Sequence, residues 1–164
     1  MRIKVKLKDS ELKLNIIKKG DWIDLYVAED TPLVPNITKG GGQGSPRFKI
    51  IPLNIAMQLP EGYEAIIAPR SSIYKNFGIT CANSIGVIDN TYCGDDDWWG
   101  FPALIFKRGT LKKGDRICQF RIQLSQKATL LQKIKWLFTS KIEFEYVKSL
   151  SKLSRGGFGS TGKN

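Results

Sequence analysis

Histidine is absent from all 164 residues of the chain. That removes Ser-His-Asp and Cys-His nucleophile pairs, His-ligated metal centres and the commonest general base. Hydrolytic chemistry here must use a carboxylate, a lysine or a bound hard metal ion. Cysteine is scarce: Cys81, Cys93 and Cys118 are odd in number and share no CxxC spacing. They encode neither a disulfide framework nor a zinc cage. They read as small buried hydrophobes in a reducing, cytoplasmic setting. No run approaches the roughly eighteen apolar residues of a membrane span. The N-terminal Met1-Arg2-Ile3-Lys4-Val5-Lys6-Leu7-Lys8 alternates charge with hydrophobe where a signal peptide would carry an apolar block. No membrane is expected as a partner, and this segment reads as an edge strand.

Negative charge is also in deficit, with 15 Asp and Glu against 26 Lys and Arg, a formal net charge of +11. Such a balance attracts polyanions: nucleic acid, anionic membrane or phosphorylated small molecules. The lysines lie dispersed between hydrophobes rather than gathered in one tail, so no stable nucleic-acid partner is expected.

What is present is mostly strand-like. Ile51, Leu53, Ile55, Met57 and Leu59 alternate at period two, as on one half-buried strand. Cys118, Phe120, Ile122 and Leu124 take one face of another strand, and Gln119, Arg121 and Gln123 the other. Turn signals recur at Gly20-Asp21, Pro60-Glu61-Gly62 and Lys113-Gly114-Asp115. One domain of many short strands, a barrel or sandwich, follows.

Three segments depart from this rhythm. Residues 38–46, rich in glycine, read as a flexible surface loop. Residues 127–139 place Leu130, Leu131, Ile134, Leu137 and Phe138 at helical spacing, which predicts one short amphipathic helix packed on its own domain. The stretch from Arg155 to Asn164 is rich in Gly and Ser and reads as a mobile arm. Its Gly157 to Lys163 imitates a GxxxxGK phosphate loop, but Asn164 follows where Ser or Thr is needed. Its glycines still expose N–H groups suited to phosphate, and Arg155 can grip phosphate bidentately.

Two further runs carry candidate chemistry. Pro69-Arg70-Ser71-Ser72 sets a guanidinium and two hydroxyls at a strand end, a plausible phosphate grip or a capped turn. Asn83 to Tyr92 has turn formers between hydrophobic patches and reads as a hairpin. Its backbone can read a base edge, with the Asn83 amide beside it and the flat face of Tyr92 for a sugar.

Taken in order, these runs resemble the five motifs of the trimeric dUTP pyrophosphatases. The first resembles Asp24-Leu25-Tyr26 within residues 20–30, the second Pro69 to Ser72 and the third Gly86 to Gly94. The fourth resembles Gly114-Asp115-Arg116-Ile117-Cys118-Gln119, and the fifth Arg155 to Gly162. The resemblance covers about residues 20–162.

It implies an all-β, distorted jelly-roll-like barrel over residues 1–154. A glycine-rich arm over 155–164 would complete active sites shared within a homotrimer. It also implies hydrolysis of dUTP to dUMP and pyrophosphate, which keeps uracil out of DNA and supplies dUMP for thymidylate synthesis. By the same resemblance Asp89 is the base that activates water, and Gln119 stands near that water. Arg70, Ser71 and Ser72 hold phosphate, although the family usually has Gly where Ser72 stands. Asn83, Gly86, Val87 and Ile88 read uracil, and Tyr92 stacks on the deoxyribose. Arg155, Gly157, Gly159 and Ser160 close on the phosphates, and Phe158 resembles the lid over the base. Mg²⁺ chelates the triphosphate, with Asp24 reaching it through water.

Arg155 lies closer to Phe158 than in many members of that family. The run Gly94-Asp95-Asp96-Asp97-Trp98-Trp99-Gly100-Phe101 is longer than usual. It reads as an exposed acidic turn before a buried Trp pair, with metal binding as the alternative, and a tryptophan could share the lid role. The related dCTP deaminases need a glutamate shortly after the third motif, and none occurs between Asp89 and Phe101. A catalytically idle regulatory protein on the same scaffold would not need Asp89, Gln119, Arg70 and Ser71 intact. A regulatory partner would find the 38–46 loop or the 127–139 helix.

Overall fold

Residues 1–15, 21–36, 45–138, 141–150 and 152–157 are described in the computed structural model. In chain order the first strands are β1 (Arg2–Leu7), β2 (Ile23–Tyr26), β3 (Thr31–Leu33), β4 (Arg47–Pro52), β5 (Ile55–Gln58) and β6 (Tyr63–Pro69). Helix α1 (Ile73–Phe77) precedes β7 (Ile79–Cys81), β8 (Gly86–Asp89), β9 (Gly100–Ile105), β10 (Gly109–Leu111) and β11 (Arg116–Leu124). Helix α2 (Leu130–Phe138) and β12 (Glu143–Tyr146) complete the order.

Among the described residues four small sheets, ordered β12-β1-β5, β10-β3, β2-β11-β6-β8 and β4-β9-β7, enclose one core. This is the expected all-β, jelly-roll-like class, although the described strands do not join into one closed hydrogen-bonded barrel. Strand β11 shows why the chain folds this way. Cys118, Phe120 and Ile122 are buried while Arg121 faces out, the alternation of a pleated strand with one face in the core. A bulge between Arg116 and Cys118 turns Ile117 inward as well. Phe120 sits at the centre, edge-on to Trp99 with ring centroids 5.4 Å apart and tilted against Phe144 at 6.4 Å.

Several expectations are corrected. β1 is a central strand, not an edge, because β12 returns to pair with it in parallel on the side away from β5. The alternating run 51–59 is buried as expected but forms two strands, β4 pairing with β9 and β5 with β1. Between them lies Asn54, fully buried, its amide donating to the carbonyls of Asp9 (3.0 Å) and Leu12 (3.1 Å). The run 83–92 is not a hairpin. β7 pairs with β9 and β8 with β6, so residues 82–85 form a corner between two sheets, with Ser84 at φ 61°. Helix α1 was not anticipated: Ser72 occupies its N-cap position and Gly78, left-handed at φ 62°, ends it.

Helix α2 forms where its spacing predicts, but its apolar stripe points away from the domain. Leu131 and Leu137 are each 79% exposed and Phe138 85%. Gln132 and Trp136, four residues apart, lie on the opposite side of the helix and make the attachment. Gln132 donates to the Glu61 carbonyl at 2.7 Å, and the Trp136 ring lies 5.5 Å from that of Tyr63. No helix among the described residues is long and apolar enough to cross a membrane.

Candidate active site

Among the described residues strand β8 ends its sheet, bonded to β6 alone, and its outer edge borders a cavity of about 340 Å³. That volume lies within the roughly 300–1,000 Å³ common for small-molecule sites. The expected residues Asn83, Gly86, Val87, Ile88, Asp89 and Tyr92 all line it, joined by Arg155 and Gly157. Gly86 lies so close to Ile67 that an added Cβ would stand 3.3 Å from the isoleucine Cβ. The Tyr92 hydroxyl donates to the Trp98 carbonyl at 2.9 Å, which fixes the ring. Gly157 lies against the hydroxyl end of that ring; a Cβ there would stand 3.0 Å from its Cε2 and 3.2 Å from the hydroxyl oxygen. The chain's own C-terminal segment therefore packs against the hydroxyl end of the ring expected to meet a sugar.

Asp89 accepts the Thr91 N–H at 2.7 Å, an Asx-type turn, and also the Thr91 hydroxyl. Arg155 Nη1 lies 3.1 Å from its Oδ1 and 2.9 Å from its Oδ2. Partial burial pushes the carboxyl pKa up. The Thr91 hydroxyl, the Arg155 guanidinium and the Thr91 N–H outweigh that and hold it below the usual carboxylate value. Asp89 is thus an ionised carboxylate beside a cavity, with an arginine on it.

A second group forms around Asp24, which is 4% exposed. Its Oδ2 accepts from Arg70 Nη1 and from Arg116 Nη1, each at 3.1 Å. Gln119 stands directly opposite Asp24 across the β2–β11 pairing, on the same sheet face. Arg70 is placed by its backbone N–H, which donates to the Ile117 carbonyl at 3.1 Å. Exposed Ser71 and half-buried Ser72 follow, and the Ser72 hydroxyl makes no cap hydrogen bond to α1. Motif spacing alone did not single out Arg116 or Thr91; each is revealed by the carboxylate it serves.

One chain does not bring the two groups together. Gln119 pairs with Ala68 and Asp89 with Glu64, on strands flanking β6. That separation is roughly 13 Å along the strands and roughly 10 Å across them.

The acidic run is not a free turn. Asp97 is 1% exposed, and its Oδ2 accepts the N–H of Gly94 (2.8 Å) and of Arg155 (3.0 Å), its Oδ1 that of Gly156 (3.1 Å). Burial pushes its pKa up, but the N–H groups of Arg155, Gly94, Gly156 and Cys93 outweigh this and hold it below the ordinary value. Asp95 accepts from the Ser149 hydroxyl, the Leu150 N–H and Lys6. Among the described residues no three His, Cys, Asp or Glu side chains are grouped to hold a metal. Of the Trp pair, Trp99 lies in the core and Trp98 lies under Lys6 and Lys8; neither lines the cavity. Phe158, Gly159 and Ser160 fall outside the described residues, as does most of the 38–46 loop.

A family model described as dUTPase matches residues 23–162. The SPbeta prophage-derived deoxyuridine 5'-triphosphate nucleotidohydrolase YosS of Bacillus subtilis (strain 168) is 44% identical over 163 residues, 99% of this chain and 99% of its own. A deoxyuridine 5'-triphosphate nucleotidohydrolase of Anaplasma marginale (strain St. Maries) is 33% identical over 150 residues, 88% of this chain and 84% of its own. The crystal structure of dUTPase from Streptococcus mutans is similar with a TM-score of 0.64 at 19% identity, over 77% of this chain and 98% of that one. A mutant Staphylococcus bacteriophage 80alpha dUTPase with dUpNHpp is similar at 0.57 and 22%, over 98% of both chains. The two structures support the fold.

Proposed function

Because the chain belongs to the dUTPase family, we propose that it hydrolyses dUTP to dUMP and pyrophosphate with Asp89 as the general base. The observation that carries this reading is the Asp89 carboxylate, ionised at the rim of a cavity lined by the Gly86–Ile88 backbone and Tyr92. Uracil enters against β8, whose outer edge offers backbone donors and acceptors. Tyr92 takes the deoxyribose face. A closely walled pocket rejects the 5-methyl of thymine, and the tyrosine ring rejects a 2′-hydroxyl, by steric exclusion.

Asp89 accepts a proton from water as the water oxygen bonds to the α-phosphorus. The bond from that phosphorus to the α,β-bridging oxygen breaks, and the electron pair leaves with pyrophosphate. Arg155 leaves Asp89 for the triphosphate, which carries more negative charge than one carboxylate and frees the base. Arg70, with Ser71 and Ser72, holds phosphate oxygens, and Gln119 orients the water.

Mg²⁺ belongs to this reading as part of the substrate. The described residues offer no three-carboxylate cage, whereas a triphosphate supplies its own oxygens to a hard cation that keeps several waters. Asp24 is the carboxylate that would reach it through water, since its Oδ2 is held by two arginines. The distance between Gln119 and Asp89 on one chain favours sites shared between copies, as in a homotrimer. Residues 1–154 then form the scaffold and 155–164 the closing arm.

Product analysis with dUTP, dCTP, dTTP and UTP side by side tests the function. Pyrophosphate from dUTP in strong preference supports it. Ammonia from dCTP, or equal turnover of dTTP, overturns it.

A further inference from the structure

We infer that the acidic segment Gly94–Asp97 is a seat for the root of the C-terminal arm, and that Asp97 is the positioning residue that aims Arg155 into the active site. The Asp95 N–H donates to the Lys152 carbonyl at 3.1 Å, and the Asp96 N–H to the Ser154 hydroxyl at 2.8 Å. Asp97 then takes the N–H groups of Arg155 and Gly156, one on each carboxylate oxygen. Gly94 lets the two backbones touch, for a Cβ there would stand 2.3 Å from the Ser154 Cα. Gly156 adopts φ 77°, a left-handed turn that suits glycine.

Three consecutive residues of one loop thus hold residues 152–156, and the last of them is a charged group withdrawn from water. Burying a carboxylate is unfavourable unless donors surround it, and here two of the donors belong to the arm. When the arm root is seated, the Arg155 side chain reaches Asp89 and Gly157 packs against Tyr92. The same seat lets the guanidinium pass to a triphosphate without the arm being released from the barrel. Asp97 itself is not required to touch nucleotide.

The role in turnover rests on the proposed function; the seat itself does not. Two variants separate them, studied in the full-length chain. Asp97→Asn keeps size and one acceptor but turns an amide N–H toward backbone N–H groups. Gly156→Ala leaves the barrel untouched and disfavours the left-handed turn.

Limited trypsin digestion at Lys152 and Arg155 reads the seat with no nucleotide present. Losing one charge-assisted hydrogen bond corresponds to roughly ten- to hundredfold in the opening equilibrium, so cleavage should accelerate by about that factor in Asp97→Asn. In Gly156→Ala it should accelerate by roughly five- to thirtyfold, the scale of a left-handed alanine. Unchanged cleavage in Gly156→Ala overturns the seat, even if Asp97→Asn fails to fold.

Kinetics with Mg²⁺-dUTP read the aiming. KM should rise about tenfold or more in each variant, the scale of one lost hydrogen bond to a charged group. In a chain truncated after Ser154, Asp97→Asn should add no further loss. An equal further loss there means that Asp97 acts through the barrel, and overturns the inference. If dUTP is not the substrate, the digestion result stands while the kinetic arm fails.

Discussion

Arg155 closes on Asp89 with its Nη1 2.9 Å from Oδ2 and 3.1 Å from Oδ1 of the carboxylate. The two residues lie 66 positions apart, one on a sheet-edge strand and the other on the C-terminal segment. The proposed base is therefore paired with the cation proposed to grip phosphate.

Removing that cation should change how Asp89 titrates. The profile of kcat/KM against pH reports groups of the free enzyme. With Arg155 present the Asp89 carboxyl lies below its ordinary value, so the acidic limb of the profile should lie low. Arg155→Ala removes the guanidinium's hydrogen bonds to both carboxylate oxygens and one positive charge, all of which favour the ionised form, and the limb should move to higher pH. The plateau should also fall, because the proposed phosphate contact is lost. A limb that stays in place would show that the ion pair is absent from the free enzyme.

Asp89→Asn separates chemistry from binding. The amide keeps the shape of the side chain but accepts no proton from water, so pyrophosphate release from dUTP should fall by about 10²–10⁴-fold, the usual contribution of a general base. Binding of a non-hydrolysable dUTP analogue should stay level or tighten, since Arg155 no longer has a carboxylate to leave. Turnover near the parent rate would remove Asp89 from the mechanism.

Much of this site could be read from residue order, and the missing parts share a cause. Asp89, Tyr92 and Arg70 sit in local runs whose turn chemistry and charge are visible within a few positions. The inward face of β11 followed from period two because one side of that strand is buried. Asp97 looked like one of three exposed acids, yet its partners are backbone N–H groups 58 and 59 positions away. Backbone donors carry no side-chain signature. The α2 stripe was legible as a helix, but period 3.6 says only that one face is apolar, not which way it points.

Asp24→Ala should weaken both fold and substrate grip. Asp24 is nearly buried, and Arg70 and Arg116 converge on one of its oxygens. Without it two guanidinium groups face each other with no counter-charge. Arg116 is half exposed, so solvent screens part of the effect, and a loss of about 1–3 kcal/mol is expected in urea unfolding. KM should rise more than kcat falls, because Arg70 loses its orientation. Unchanged unfolding would mean that the arginines hold their places without the carboxylate.

Asp95 predicts a stability change with a definite sign. The Ser149 hydroxyl, the Leu150 N–H and Lys6 lower its pKa from 3.8 to about 2. A carboxylate lowered by folding contributes stability above its unfolded value and loses it as pH falls through the folded one. Asp95→Asn should therefore melt below the parent at neutral pH. The difference should shrink between pH 3.8 and about 2, where the parent carboxylate also becomes protonated. A difference independent of pH across that window would assign the loss to packing rather than charge.

Phe120 and Leu137 make opposite predictions from similar side chains. Phe120 is fully buried between Trp99 and Phe144, and truncation to Ala leaves a cavity among rings that cannot close up. A loss of about 3–5 kcal/mol is expected in chemical unfolding. Leu137 is 79% exposed on the outer stripe of α2, so Leu137→Ser removes little burial within one chain. Its effect should stay within about 0.5 kcal/mol if nothing covers the helix. The pair of measurements reads burial directly: a loss at Leu137 approaching that at Phe120 would mean that the α2 stripe is covered in the assembled protein.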